Sequence, residues 1–372
     1  MNEDNALPDQ PHEAPASASL SRGRLHGLDV ARGLAVLGMV LVNLKVALGA
    51  EARGPEWLRL LAAPLTGRAA ATFVVLAGVG VTLMGVRARR PAVLDDRRAV
   101  QRRLYRRCAF LLLLGVGLLV AGWTADILHY YALYLSIAAA LMFASKRVVW
   151  SVAAAAVFMF YLGLPIYERG WSWSTFEYRD LWTLRGMLRN TLFNGFHPVF
   201  PWVSLVLWGM LLGRRDLRAV SVQRSMIWGG AGLALLVEGL CWAATSGLPE
   251  GDELRALVST GPMPPGLPYL LAGGGLATAV IGACLRLTQR WPDAWPWRAL
   301  SPMGLHALTH YVAHVLLLIL PLTAMGLGAS ADMTDVWLIA VGYGLLGGLW
   351  SYFWQRRLGR GPLSALMRRL AG

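Results

Sequence analysis

The sequence is short of charge. Asp, Glu, Lys and Arg together make up 15% of its 372 residues, well below the roughly 25% of an ordinary soluble domain. Hydrophobic residues reach 56% and the mean hydropathy is +0.48, which leaves too little polar surface to coat a soluble globule of this size. Cysteine is scarce as well. Cys108, Cys241 and Cys284 lie far apart in or beside apolar runs, without CxxC spacing, which excludes a disulfide framework and a thiolate metal site. Absent too are a Walker A loop, a GxGxxG motif ahead of a soluble βα unit, a long soluble segment and an internal repeat. These absences exclude P-loop and dinucleotide-binding enzymes and show nothing of the inverted halves of many transporters. The class that remains is the polytopic membrane protein.

Acidic residues are outnumbered: 35 Lys and Arg against 21 Asp and Glu give a net charge of +14. A nucleic-acid partner would need a basic groove interleaved with aromatics. Here the arginines sit in short runs between apolar stretches, so nucleic acid is not an expected partner. Residues 1–25 carry Pro8, Pro11 and Pro15 and read as a disordered cytoplasmic tail. The remainder, 26–372, reads as one transmembrane domain. A cleaved signal peptide is not expected, because its apolar segment would begin late and contain Asp29, Arg32, Asn43 and Lys45.

Ten apolar segments follow, at about 28–48, 64–86, 108–124, 127–144, 147–165, 198–213, 225–246, 267–286, 302–326 and 335–354. The expected fold is an all-α bundle of about ten spans. The third and fourth segments are short and separated only by Thr124-Ala125-Asp126, as in a tight helical hairpin. Alternate loops sort by charge: 25 of the Lys and Arg residues fall on one side and 8 on the other. By the positive-inside rule both termini are then cytoplasmic. The longest outer loop, 166–197, carries Trp171, Trp173, Phe176, Tyr178 and Trp182, which suit an interfacial segment or a substrate entrance.

Ionisable groups inside spans are costly and therefore candidates for function. Asp29, Arg32 and Asn43 fall on one face of the first span. They either anchor helix packing or form a polar stripe across the membrane. Lys45 points elsewhere, at the outer end, where it can snorkel. Thr66-Gly67-Arg68 opens the second helix. Asp126 reads as the N-cap of the fourth, with His129 one turn in. Asn194-Gly195-Phe196-His197-Pro198 opens the sixth, with Pro198 in its first turn. Asn43, Arg68, Asp126, His129 and His197 can thus converge on one outer pocket. The ninth span, with its start marked by Ser301-Pro302, carries His306, His310 and His314 on one face. No carboxylate or fourth ligand lies nearby, so a metal is not expected; the three line a cofactor or substrate tunnel or serve as structural hydrogen bonders. Glu238 needs a proton or a matching cation if buried.

Several motifs resemble one family. Leu28-Asp29-Val30-Ala31-Arg32-Gly33-Leu34, continuing through Gly38 to Asn43, resembles the opening helix of bacterial YeiB-like membrane proteins, which are related to heparan-alpha-glucosaminide N-acetyltransferase. Asp126-Ile127-Leu128-His129-Tyr130-Tyr131-Ala132 is similar to the family's hairpin, and Phe193 to Trp202 with Gly209 to Arg214 resembles its "PWL…GM..GR" helix. Ala307 to His314 is similar to its "ALT.Y..H" segment, and Gly361-Pro362-Leu363 with Leu366 to Arg369 to its C-terminal motif. The matches spread over residues 28–370. Two departures stand out. The loop from Leu44 to Pro64 has no histidine, whereas the lysosomal enzyme uses one just after its active-site asparagine. Ser364 stands where the family usually has Glu.

The resemblance implies a transmembrane acyltransferase of the bacterial inner membrane. Acetyl-CoA or another acyl-CoA would be the cytoplasmic donor, and a sugar amine or hydroxyl, or another envelope acceptor, would sit on the outer side. Asn43 matches the lysosomal enzyme's active-site asparagine. His129 or His197 can act as base with Asp126 orienting it, while Asn43 or Arg68 polarises the thioester carbonyl. On the cofactor side, the basic stretch 87–107, with Arg103, Arg106 and Arg107 and with Arg32 behind it, can hold the CoA phosphates; Asp29 belongs to the same side as the partner of Arg32, with His310 and His314 lining the tunnel. The same basic stretch equally suits contact with anionic membrane lipid. Two other readings stay open: a transporter or flippase of an acylated or anionic metabolite, and a scaffold subunit without chemistry. A homodimer also stays open.

Overall fold

The computed structural model describes residues 24–87, 94–172, 177–249 and 252–372. The 1–23 part of the tail, and Trp173 and Phe176 of the outer loop, lie outside the described residues. The described residues are all-α apart from one two-stranded ribbon. In order the helices are α1 (His26–Ala47), α2 (Glu56–Ala62), α3 (Arg68–Arg87), α4 (Leu94–Val120), α5 (Leu128–Leu141), α6 (Lys146–Gly163), α7 (Leu184–Arg189), α8 (Val199–Leu212), α9 (Val220–Thr245), α10 (Glu253–Val258), α11 (Leu267–Arg290), α12 (Trp295–Leu305), α13 (Ala307–His314), α14 (Leu320–Ala324), α15 (Met333–Leu358) and α16 (Pro362–Ala371). The ribbon pairs β1 (Trp171–Ser172) with β2 (Glu177–Tyr178), antiparallel.

Every one of the ten apolar segments is helical, but they are not ten equal spans. Among the described residues, seven helical stretches are long and apolar enough to cross a membrane, or eight if the bent pair Leu184–Asn194 and Val199–Leu212 is one span. The 14 residues of α5 rise only about 21 Å at 1.5 Å per residue, short of a core about 30 Å thick. The apolar part of α4 is its second half; the first half carries the arginines. The ninth segment is broken. Ser301 and Pro302 lie inside α12 rather than at a helix start. The helix interrupts at His306 (φ −98°, ψ 16°), restarts as α13 and passes through a π-turn at Val315–Ile319.

Burial sorts the helices into a core and a rim. About two thirds of the apolar windows of α1, α3 and α11 are buried in the protein, against 22% for α6 and α9. The rim helices turn large apolar residues outward, among them Trp228, Leu235, Leu236 and Trp242 on α9, as lipid-facing helices do. Helix α1 is the hub, packed on α3, α11, α12, α13 and α15. Its contact with α12 brings backbones together: a Cβ on Gly304 would sit 1.8 Å from the Asp29 carbonyl oxygen. This small-residue contact substitutes for a hydrophobic drive that lipid cannot supply.

The two ends of the bundle differ in kind. One gathers Arg24, Arg97, Arg103, Arg107 and the C-terminal α16, which packs on α4 and α13. At this end Asp29 receives the Arg24 Nε at 2.8 Å and the Arg32 Nη1 at 2.7 Å, so the first-span ion pair is a triad. The other end is closed by the 166–198 segment. There Asn194 donates its Nδ2 to the carbonyls of Ile166, Tyr167 and Arg169 and accepts from the Tyr178 hydroxyl at 2.9 Å. Arg189 holds both Asp180 oxygens at 2.6 and 2.7 Å and the Tyr178 hydroxyl at 2.6 Å. Burial raises the Tyr178 phenol above its ordinary value, an effect that the bond from Arg189 opposes.

Candidate active site

Under the capped end lies a cavity of about 210 Å³ walled by Asn43, Thr66, Phe196, His197, Trp202 and Tyr311, with Ala125 and Ile127. Five chain segments far apart in sequence supply these groups. Asn43 comes from the last turns of α1. Its Nδ2 lies 3.0 Å from His314 Nε2, at the end of α13. His314 Nδ1 is 3.2 Å from the His310 carbonyl, so it carries the proton there, and Nε2 is left to accept from the Asn43 amide. An amide NH₂ has two donors; one is spent on His314.

Beside this pair runs a second network. Tyr311 donates its hydroxyl to Asp126 Oδ1 at 3.2 Å and accepts the Ile127 N–H at 3.0 Å. Asp126 Oδ2 accepts the His129 backbone N–H at 3.0 Å and lies 2.9 Å from His129 Nδ1. The expected capping bond is therefore present, although α5 starts one residue later, with Ile127 at the cap position. His129 Nε2 is buried without a hydrogen-bond partner. Its ring stacks on Tyr130 at 3.7 Å, and Tyr130 meets the His197 ring at 6.0 Å.

His197 sits on the wall of the cavity. The Tyr134 hydroxyl donates to its carbonyl, and its ring packs edge-on to Trp202 at 4.8 Å. Its Nδ1 is buried without a partner. The turn that delivers it depends on Gly195, where a Cβ would stand 2.0 Å from the Tyr130 hydroxyl. That hydroxyl is already bonded to Asn190 Oδ1 at 2.6 Å.

Of the residues expected at this pocket, Asn43 and His197 line it, and Asp126 and His129 stand directly behind it. Arg68 does not. It turns into a neighbouring chamber, pairs with Glu238 and donates to the Thr260 carbonyl at 2.8 Å. Glu238 thereby finds its cation. Lys45 does not snorkel: its side chain is 12% exposed and bonds Thr66 at 3.0 Å and Glu51 at 3.3 Å. The three histidines of the ninth segment have three separate roles. His306 faces the Gly359 carbonyl at 3.1 Å, His310 lies 3.0 Å from the Tyr343 hydroxyl and 2.6 Å from Ser351, and His314 holds Asn43. His314 thus belongs to the capped end, not to a tunnel from the arginine-rich end. Tyr311, which the sequence reading passed over, joins the two networks; its only sequence signal is its place one turn before His314 on the same helix.

A second cavity, of about 310 Å³, opens toward the arginine-rich end. Arg32, Arg107, Tyr131, Leu308 and Ser364 are among its walls. Arg107 Nε is buried without a partner, and its Nη1 faces only the Met84 sulfur at 3.5 Å. Among the described residues no carboxylate pairs with it. Arg103 and Arg106 are exposed on the same helix. The two cavities are stacked along shared helices. Their walls are adjacent at the start of α5, with the cap residue Ile127 in one and Leu128 in the other. They are three residues apart on α3 (Ala70, Phe73) and on α13 (Tyr311, Leu308). Three residues rise about 4.5 Å, so one layer of side chains divides them.

Residues 24–249 match the family described as heparan-alpha-glucosaminide N-acetyltransferase, catalytic. This is more than half of the chain. The protein belongs to the heparan-alpha-glucosaminide N-acetyltransferase family, in its YeiB-like branch. Residues 215–372 also match a family described as protein of unknown function (DUF418). A comparison with individual curated proteins gives no match. The N-acetyltransferase match contains Asn43, Asp126, His129 and His197, while Tyr311 and His314 come from the second matched region. The cavity is therefore assembled from both. The loop after Asn43 carries no histidine; the imidazole beside Asn43 is that of His314, from the second matched region.

Proposed function

We propose that the protein is an integral membrane acyltransferase that moves an acyl group, acetyl in the simplest case, from acyl-CoA at the arginine-rich end to an acceptor amine or hydroxyl at the capped end. The observation that carries this reading is the pair of stacked cavities divided by a single layer of side chains. Donor and acceptor can approach from opposite faces and meet there. The arginine-rich end is cytoplasmic on this reading, and both termini are inside.

The donor cavity fits an anionic ligand, because Arg107, half-buried with its Nε enclosed, has no carboxylate partner among the described residues and Arg32 stands on the same wall. In the acceptor cavity, His197 takes the proton from the attacking N–H or O–H. The acceptor lone pair forms the new bond to the acyl carbon, the C–S bond breaks, and the proton ends on the thiol sulfur. Asn43, held in orientation by His314, offers its second amide N–H to the developing oxyanion. The Asp126–His129 pair lies behind and places a carboxylate near the imidazolium that forms on His197.

The test is radiolabelled acetyl-CoA given to sealed vesicles of known orientation, with glucosamine on the opposite side. Transfer across the membrane is the expected outcome. Unchanged acetyl-CoA together with passage of glucosamine across the vesicle membrane would instead favour a transporter. Reporter fusions at about residues 95, 180 and 360 should read inside, outside and inside; an outside signal at 95 rejects the orientation.

A further inference from the structure

Two larger spaces adjoin the acceptor cavity and are used by no step above. The first is a groove of about 590 Å³ between α1, α3, α11 and α15. Its walls are almost wholly apolar, including Leu34, Leu37, Leu276, Trp337 and Leu345, and it shares Leu65 and Ala69 with the acceptor cavity. Leu34 is 40% exposed and Leu345 66% exposed, so the groove opens sideways at the depth of the spans. The second is a chamber of about 820 Å³ at the outer end of the groove. It shares Arg68 and Leu276 with the groove, and Glu51, Thr66 and Pro262 with the cavity. Three cations and three anions line the chamber: Lys45, Arg59 and Arg68 against Glu51, Glu56 and Glu238.

We propose that the acceptor is a membrane-resident glycolipid: its hydrocarbon chain lies in the groove, its carbohydrate head fills the chamber, and its reactive amine or hydroxyl enters the cavity beside His197. Charge balance selects the head group. A phosphate head would meet three carboxylates, whereas a neutral polyol or amino sugar finds donors and acceptors in equal supply. The apolar groove selects the tail, and it gives little energy over bulk lipid because lipid tails are as apolar as its leucines. What it supplies is position. A chain seated there makes head-group binding intramolecular, which raises the effective concentration of the acceptor at the site. The open side of the groove lets such a molecule slide in from the bilayer without crossing water. The inference rests on the acyl-transfer reading for what happens to the acceptor, but not for where the lipid binds.

The experiment uses the full-length protein in phosphatidylcholine nanodiscs with acetyl-CoA and two probes, methyl and dodecyl β-glucosaminide. Acetylation of the dodecyl probe should be roughly 10²-fold faster than that of the methyl probe. Partition into the nanodisc alone would also favour the dodecyl probe, so the groove is blocked in two ways. Gly344→Leu fills it, since even a Cβ there lies 3.0 Å from the Leu37 side chain, and Val341→Trp covers its exposed rim. Both should bring the dodecyl-to-methyl rate ratio close to that of simple partition, measured as the nanodisc-to-water concentration ratio of the probes. A ratio that stays at the wild-type value in both variants overturns the proposal. A second arm does not depend on turnover. Dodecyl β-glucosaminide with a diazirine at the chain end is photolysed in the nanodisc and the labelled peptides are sequenced. Label on α1 and α15 around Leu34 and Leu345, the end of the groove away from the chamber, competed by excess dodecyl but not methyl glucosaminide, is the expected result. Label spread over the lipid face of α9, at Trp228 and Leu235, without competition, overturns it. Competed label in the groove with no acetyl transfer to either probe would leave the lipid site standing and remove the acyl-transfer reading. Acetyl transfer with uncompeted label would do the reverse.

Discussion

The two stacked cavities share helices but are built on opposite principles. At the capped end nearly every polar group has been matched inside the protein: Asn43 with His314, Tyr311 with Asp126, Asp126 with His129, Asn194 with three carbonyls. A network satisfied in this way is rigid, and few atoms at the cavity are left over among the described residues: His129 Nε2, His197 Nδ1 and Trp202 Nε1. At the arginine-rich end the opposite holds. Asp29 answers two arginines, while Arg107 has a sulfur and no carboxylate. A cation left short of anions inside a cavity is a site that a ligand completes. The difference teaches that the capped end is organised for positioning and the arginine-rich end for capture of charge, which on the acyl-transfer reading are the acceptor and donor sides.

The sharpest way to break this comparison is at the capped end. Replacing His197 by Ala should lower acetyl turnover roughly 10²–10⁴-fold while acetyl-CoA still binds, read as kcat against donor Kd. His129→Ala should show the same pattern if the two imidazoles exchange roles. If both variants turn over normally, the base lies elsewhere or the protein is not an acyltransferase. Asn43→Ala should cost roughly 10²–10³-fold in kcat, with donor KM little changed. His314→Gln, which keeps an acceptor near Asn43, should retain more activity than His314→Ala; equal loss in both would mean that His314 does more than orient the amide.

Smaller effects belong to the other cavity. Arg107→Gln should weaken acetyl-CoA binding by roughly one to two powers of ten, the worth of a hydrogen bond to a charged group. Arg103→Gln and Arg106→Gln, on the exposed side of the same helix, should each change it about twofold or less. Equal effects from all three in a titration would show a diffuse surface potential in place of a pocket. Least of all should His310→Ala touch chemistry. It leaves Ser351 and Tyr343 without a shared partner inside the bundle, so it should lower the melting temperature by several degrees, with a cost of about 1–3 kcal/mol, while the surviving protein turns over near normally.

Much of this was open to reading in the chain itself. The ten apolar segments, the arginine-rich alternate loops and the asparagine near the end of the first span follow from composition and periodicity, because a bilayer punishes any unpaired charge and so writes its constraint into the one-dimensional sequence. The local devices were legible too: Asp126 caps the fourth segment because an acceptor three residues ahead of an N–H is a local arrangement. The break at His306 was not legible, since Pro302 reads as a helix start from its neighbours alone, and only packing on α1 and α16 decides which turn is interrupted.

Partnership across the bundle was beyond the sequence altogether. Nothing local distinguishes His314, which meets Asn43 271 positions away, from His310, which is locked against Ser351, since both fall on one face of one helix. Arg68 read as a pocket residue and Glu238 as an acid in need of a cation until the folded chain set them side by side. The sequence determined which residues had to leave water, and the period and charge rules that decide this act over a few turns of helix. Which of them answer each other, and which are left unanswered to act on a ligand, is set by helix order and rotation, and those are decided only by close packing in the tertiary structure.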